Sequence, residues 1–238
     1  MDKNYFIENY RNAFGNYELP IAIWYSEEPA VPTEKTTGCF IKYLKPAREG
    51  QIVSLSLETI TCMGGKTYTG LSAPFPQIPK FVSEKELYKR TPELVSDFIN
   101  DLNMPSKIGQ FINFASIERI DNFENIEGLI FFATPDVLTG LVSWAMFDTN
   151  QVDAVSVPFG SGCSSTVSQV VVENKNNGNR VFIGFFDPSV RPQVEPNILS
   201  FAIPMSRFKK MYYTFNESCL SGSRAWSKVK ERIEVNGI

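Results

Sequence analysis

A chain of 238 residues with 43% hydrophobic and 21% charged content can bury a substantial core, as one large domain or two small ones. A net charge of −3 and a pI near 5.2, without any block of Lys or Arg, exclude an electrostatic nucleic-acid footprint. The absence of histidine excludes histidine-ligated haem and a Ser-His-Asp triad.

The N-terminal Met1-Asp2-Lys3-Asn4-Tyr5 is polar where a signal peptide has its apolar run, and no later stretch reaches the roughly 18 apolar residues of a membrane span. A cytoplasmic protein without a membrane partner is expected. Segments 20–25, 38–44 and 52–57 read as strands from their β-branched or alternating character. Lys45-Pro46-Ala47-Arg48-Glu49-Gly50 reads as the turn between the last two. Residues 63–71 read as a short helix opened by Gly64-Gly65, and the stiff, proline-rich 73–79 as a lid or strap. Ser83-Glu84-Lys85-Glu86 has the form of a capping box, and Thr91-Pro92 sets a cap residue before an N1 proline, so helices are expected at both places.

Strands are expected at 111–117, 128–133 and 152–157, with a helix begun by Thr134-Pro135-Asp136 after the second. The segment 166–172 is β-branched and fits helix or strand equally. Strands at 180–186 and 198–203 follow, then two helices whose apolar faces are Phe208, Met211, Tyr212 and Phe215, and Trp226, Val229 and Ile233. These elements predict an α+β fold, a mixed and largely antiparallel sheet with helices packed on it. The whole of 1–238 is read as a single compact domain, with a division into two lobes near 104–109 as the alternative.

Chemistry centres on four cysteines in Gly/Ser/Thr-rich settings: Thr37-Gly38-Cys39, Thr61-Cys62-Met63-Gly64-Gly65, Gly160-Ser161-Gly162-Cys163-Ser164-Ser165 and Ser218-Cys219-Leu220-Ser221-Gly222. They are too sparse for the staples of a small secreted domain, and no C-x-x-C pair is present, so reduced thiols are expected. Any shared site must be assembled by the fold. A strand-to-helix turn at Cys163 would aim backbone N–H groups and a helix dipole at the sulfur, favouring thiolate. Cys62, ahead of Gly64-Gly65, has the same setting. If the strands at 38–44 and 52–57 are antiparallel neighbours, Cys39 and Cys62 fall toward one sheet edge. Against all this stands the ordinary role of free cysteine as a small buried apolar group.

Three sets of residues carry a family likeness: Ala47-Arg48-Glu49-Gly50 with Cys62-Met63-Gly64-Gly65, Phe159-Gly160-Ser161-Gly162-Cys163-Ser164-Ser165, and Asp187-Pro188-Ser189-Val190-Arg191-Pro192 with Phe201-Ala202-Ile203-Pro204. Together they resemble the uncharacterised prokaryotic proteins known as domain of unknown function 169. The resemblance implies no activity. It does imply that Cys39, Cys62 and Cys163 belong together and that Cys219 is a spare, with Met63 standing where many members have proline.

Three function classes follow. In the first, Cys39, Cys62 and Cys163 hold a metal, either zinc, Cu(I) or an iron–sulfur cluster, with Cys219, a carboxylate or an exogenous ligand completing the site. In the second, Cys163 is the nucleophile of an enzyme or small-molecule binder, with Lys, Asp or Glu as its base. In the third, the cysteines are structural and the protein acts through contacts with other proteins. Gly64, Gly65, Ser164, Ser165 and Arg191 are candidate ligand-binding residues. Arg191 would clamp an anion, or pair with Asp187 to set the turn, while Ser164 and Ser165 serve equally well as caps. The many Phe residues read as core, and no dinucleotide fingerprint or P-loop occurs.

Overall fold

The computed structural model describes residues 1–35, 37–104 and 107–235, so residues 105 and 106 of the segment 104–109 lie outside the described residues. The chain opens with α1 (Lys3–Phe14), capped by the Asp2 carboxylate, which accepts from the N–H groups of Asn4 and Tyr5. Then come β1 (Ile21–Ser26), a 3₁₀ helix (Phe40–Leu44) running into α2 (Lys45–Arg48), β2 (Ile52–Ser56) and α3 (Met63–Tyr68). A single turn, α4 (Ile78–Lys80), leads into a π-helical turn (Phe81–Lys85), and α5 (Pro92–Leu102), β3 (Phe111–Ser116) and β4 (Ile126–Ala133) follow. The second half runs α6 (Pro135–Ala145), β5 (Val155–Ser156), a second π-helical segment (Ser164–Ser168), α7 (Gln169–Lys175), β6 (Val181–Gly184), β7 (Leu199–Pro204), α8 (Met205–Thr214) and α9 (Arg224–Val235).

The strands form one sheet in the order β2-β3-β1-β4-β7-β6-β5. Every pairing is antiparallel except that of β5 with β6, so the fold is α+β with a mixed, largely antiparallel sheet. Successive side chains on a strand point to opposite faces, and this divides the core in two. Ala22, Leu129, Phe131, Phe201 and Ile203 pack on one face with α1, α6, α8 and α9. Ile21, Ile23, Phe114, Ile130, Phe132 and Ala202 face the other way, toward the 3₁₀ helix, α2, α3, α5 and α7. The first face is built on aromatic edge-to-face packing among Phe6, Trp144, Phe208 and Phe215. Its buried indoles are paired: Trp144 Nε1 donates to the Met211 carbonyl at 2.8 Å and Trp226 Nε1 to the Ala13 carbonyl at 3.2 Å.

Local signals hold where their hydrogen bonds are local. Thr91 and Thr134 cap α5 and α6 through their hydroxyls, each ahead of an N1 proline. Four expectations fail, the first being the turn at 45–50, where Lys45–Arg48 is the short helix α2. Residues 38–44 are not a strand: apolar Phe40, Ile41 and Leu44 turn inward from the 3₁₀ helix, so the expected pairing of 38–44 with 52–57, and the shared sheet edge it gave Cys39 and Cys62, do not form, and β2 pairs with β3 instead. Ser83 lies inside the π-helical turn with its hydroxyl donating to the Pro79 carbonyl, so it caps nothing. Of 152–157 only Val155–Ser156 pairs as strand. Among the described residues no helix is long and apolar enough to cross a membrane.

Candidate functional site

On the second face of the sheet, loops and helix starts enclose a cavity of about 530 Å³. Cys39, Cys62 and Cys163 all line it, together with Tyr68 and Asp187, while Phe81, Tyr88, Lys89, Phe98 and Phe159 form its outer wall. Its size is that of a small-molecule or cofactor site. Cys219 is on the opposite face of the sheet, against the aromatic core.

Each thiol arrives at the start of a helix. Cys39 follows Gly38, whose φ of +86° turns the chain, and precedes the 3₁₀ helix. Cys62 is the N-cap of α3, its Sγ accepting from the Gly65 N–H at 3.4 Å. Cys163 sits in the first helical turn after the 157–161 loop, and the π-helical segment that begins at the next residue leads into α7. π-Helical turns are frequent at functional sites, and here the other one, Phe81–Lys85, contributes the outer wall.

Glycines bring these segments together, by letting protein rather than ligand come close. A Cβ on Gly162 would stand 2.7 Å from Val190 and 3.2 Å from Ile41, so the Cys163 turn rests directly on both the Asp187 loop and the Cys39 segment. A Cβ on Gly65 would meet Phe40 at 2.9 Å, which joins α3 to the same segment. Ser168 completes the join by donating from its hydroxyl to the Tyr68 carbonyl at 2.6 Å. Gly64 and Gly162 both line the cavity, and at Gly64 a Cβ would find ordinary contacts at 3.8 Å.

The other expected binding residues stand apart from the cavity wall. Ser164 and Ser165 are buried, and Ser165 donates to the Gly162 carbonyl. Arg191 does not pair with Asp187. Its guanidinium donates to the carbonyls of Phe185, Glu195, Pro196 and Ile198, bracing the loop that carries Asp187. Phe185 contributes to that loop a φ of +71°, a conformation rare for a bulky residue, and is itself buried against Phe132. Phe186, read as core, is half exposed.

Asp187 is the residue that sequence reasoning passed over. It is 1% exposed and lines the cavity. One carboxylate oxygen, Oδ1, accepts from the Ser189 hydroxyl and from the Val190 N–H, while Oδ2 has no partner. The Asp-Pro-Ser spelling of an Asx turn was the available signal, but it points to a turn and not to a cavity.

A family model matches residues 11–213, most of the chain. The chain belongs to the uncharacterised ArCR family, DUF169. No curated protein and no solved structure matches it.

In this ArCR-family chain the electrostatics of the thiols differ from what helix starts alone predict. Burial pushes the Cys163 thiol well up, and the fields of Cys39, Cys62 and Asp187 add to it. Burial raises Cys39 too, against the lowering effect of the Ile41 and Lys42 N–H groups. The dipole-favoured thiolate expected at Cys163 is therefore reversed: desolvation of a fully enclosed sulfur outweighs a helix start. Among the described residues no three thiol or carboxylate side chains converge closely enough to hold a single metal ion. The three thiols share a chamber without meeting at a point.

Proposed function

We propose that the cavity holds an iron–sulfur cluster on the thiolates of Cys39, Cys62 and Cys163, with the apolar chamber beyond it admitting a small molecule. The observation that carries this reading is that three thiols from three separate segments open into one cavity while the fourth cysteine lies across the sheet. A lone zinc needs all its sulfurs about 2.3 Å from one centre. A cluster takes one thiolate on each of several irons, so its ligand sulfurs need not meet at one centre. Holding a cluster would require all three thiols as thiolates, their protons given up to solvent, and the charge of the bound irons would offset the burial that raises the Cys39 and Cys163 thiols. Such a cluster supplies electron transfer, or a Lewis-acid iron where a substrate enters.

The test is anaerobic reconstitution with ferrous iron and sulfide. The full chain is expected to turn brown and retain iron and sulfide through desalting. Cys39→Ser, Cys62→Ser and Cys163→Ser each lose most of that colour, and Cys219→Ser keeps it. A wild-type protein that stays colourless and binds no iron refutes the reading, as does equal loading by all four variants.

The same geometry weighs against Cys163 as a nucleophile, because the thiol is 4% exposed and its burial disfavours thiolate. In native protein treated with iodoacetamide, Cys62 and Cys219 are expected to label before Cys163, which becomes reactive only on unfolding. Peptide mass spectrometry reads the order, and preferential labelling of Cys163 would restore the nucleophile reading.

A further inference from the structure

Tyr68 ends α3 and lines the cavity; it is 6% exposed, and its hydroxyl meets no hydrogen-bond partner among the described residues. Asp187 Oδ2 and Ser164 Oγ lack partners too, but both are sealed in protein and present nothing to the chamber. The Tyr68 oxygen is not sealed in this way. The side chain is also fixed in place. Ser168 donates to the Tyr68 carbonyl at 2.6 Å, and a Cβ at Gly64 would touch the ring at 3.8 Å. The hydroxyl lies in the fields of Cys163 and Asp187, so it is on the side of the chamber that the thiols occupy. A phenol oxygen buried this deeply ordinarily finds a partner.

The polar groups around that hydroxyl are neutral donors. Burial raises the Tyr68 phenol and the Cys163 and Cys39 thiols, so each keeps its proton at neutral pH. The sulfurs, weak acceptors at best, are already approached by backbone: Cys39 faces the N–H groups of Ile41 and Lys42, and Cys62 Sγ takes the Gly65 N–H at 3.4 Å. A group that only accepts, such as a carbonyl, therefore suits this end better than an amine or alcohol, which brings a donor of its own. Charge is unwelcome. An anion would meet the field of Asp187 without a cation beside it, because Lys89, the cationic residue of the wall, stands by the rings of Phe98 and Phe159 at 5.8 and 5.9 Å. A cation would find Asp187 Oδ1 taken by Ser189 and Val190 and Oδ2 out of reach, while Glu86, the wall's other carboxylate, faces the Tyr88 hydroxyl.

We propose that the chamber takes an uncharged, largely apolar molecule bearing a carbonyl, as in a ketone, aldehyde or ester, and that the Tyr68 hydroxyl donates a hydrogen bond to its oxygen. Ile41, Ile78, Val95 and Phe98 enclose the apolar body, and about 530 Å³ is room for a molecule of this kind. The inference rests on the part of the reading above that admits a small molecule, and not on the cluster.

The experiment uses the full chain purified without added iron, so that it is read separately from cluster loading. The probes are carbonyl-¹³C acetonaphthone, ethylnaphthalene, which has the same shape without the oxygen, and the anion naphthoate. Wild type is expected to bind acetonaphthone about fivefold more tightly than ethylnaphthalene by equilibrium dialysis. Infrared difference spectra should show the bound ¹³C carbonyl band shifted to lower frequency, as hydrogen bonding requires. Tyr68→Phe removes only a hydroxyl that holds no protein partner, so circular dichroism and the urea midpoint should match wild type. That variant should bind ethylnaphthalene unchanged, lose the preference for the ketone and return the carbonyl band to its position in an apolar solvent. If wild type binds neither neutral probe, the chamber does not admit small molecules and the inference falls with that reading, whatever the outcome of iron loading. If both proteins bind acetonaphthone with the same carbonyl band, Tyr68 is not the donor. Tighter binding of naphthoate than of acetonaphthone would overturn the uncharged class.

Discussion

Asp148→Ala is expected to destabilise the fold by about 3 kcal/mol, because it strands a buried guanidinium. Arg207 of α8 is 3% exposed at its side chain, and its only anion is Asp148 among the described residues, met through both terminal nitrogens. Nη2 also donates to the Ala145 carbonyl at 2.8 Å, so Arg207 closes the C-terminus of α6 and ties it to α8. Its Nε has no partner, which leaves the charge little to fall back on once the carboxylate is gone. Asp148 itself is partly solvated, so the loss belongs at the lower end of what breaking a buried pair costs.

The same pair gives stability a pH dependence whose sign is set. The hydrogen bond from Arg207 is the main reason that the Asp148 carboxyl lies below its usual range. A carboxyl with a lower pKa in the folded than in the unfolded chain contributes its full stabilisation above the unfolded value, near 3.8, and loses it as pH falls through the folded one. Urea midpoints taken from pH 6 downward should therefore fall less steeply in Asp148→Ala than in wild type. Parallel curves, or a variant as stable as wild type at neutral pH, would show that Arg207 is satisfied without Asp148.

Gly128→Ala should cost about 3 kcal/mol, the upper range for over-packing, since the obstruction is backbone. A Cβ there would lie 2.5 Å from the Ile203 carbonyl oxygen of β7 and 2.3 Å from Val170 of α7. The neighbouring register explains the crowding. Ile23 faces Gly128 and Trp24 faces Ile126, so Glu127 bulges out of the β1 pairing, while on its other side Gly128 stays in register with Pro204 of β7. Because α7 continues from the Cys163 turn, the substitution should also reduce iron uptake in reconstitution, whereas Gly64→Ala, with room for its methyl, leaves the fold intact. An unchanged urea midpoint in Gly128→Ala would mean that β4 and α7 separate without penalty, contrary to close packing.

Strand alternation and helix caps were legible because each depends on a few consecutive residues. Ala22, Ile130 and Phe201 follow the two-residue period to their respective faces, and Thr91 and Thr134 sit three residues from the N–H groups they accept from. Residues 38–44 misled for the same reason: Phe40, Ile41 and Leu44 are apolar at spacings that suit a helical turn as well as a strand, and the choice falls to Gly65, which lets Phe40 press against α3. Asp187 was hidden by its neighbour, since an aspartate four residues before an arginine reads as a local pair. Only the carbonyls of Glu195, Pro196 and Ile198, supplied by the loop's return to β7, draw Arg191 away.

Composition and local pattern thus established the α+β class, excluded imidazole chemistry and left the thiols as the soft donors available. They could not say that Cys39, Cys62 and Cys163 share a cavity, still less that Asp187 joins them. That meeting follows from which strands neighbour which: with β2 beyond β3 and β4 beside β7, loops far apart in the chain are carried over the same face of the sheet. Periodicity encodes the face a side chain takes within its own element, but the distance between elements is set by packing across the sheet, where glycines such as Gly162 and Gly65 admit contacts that no single segment specifies.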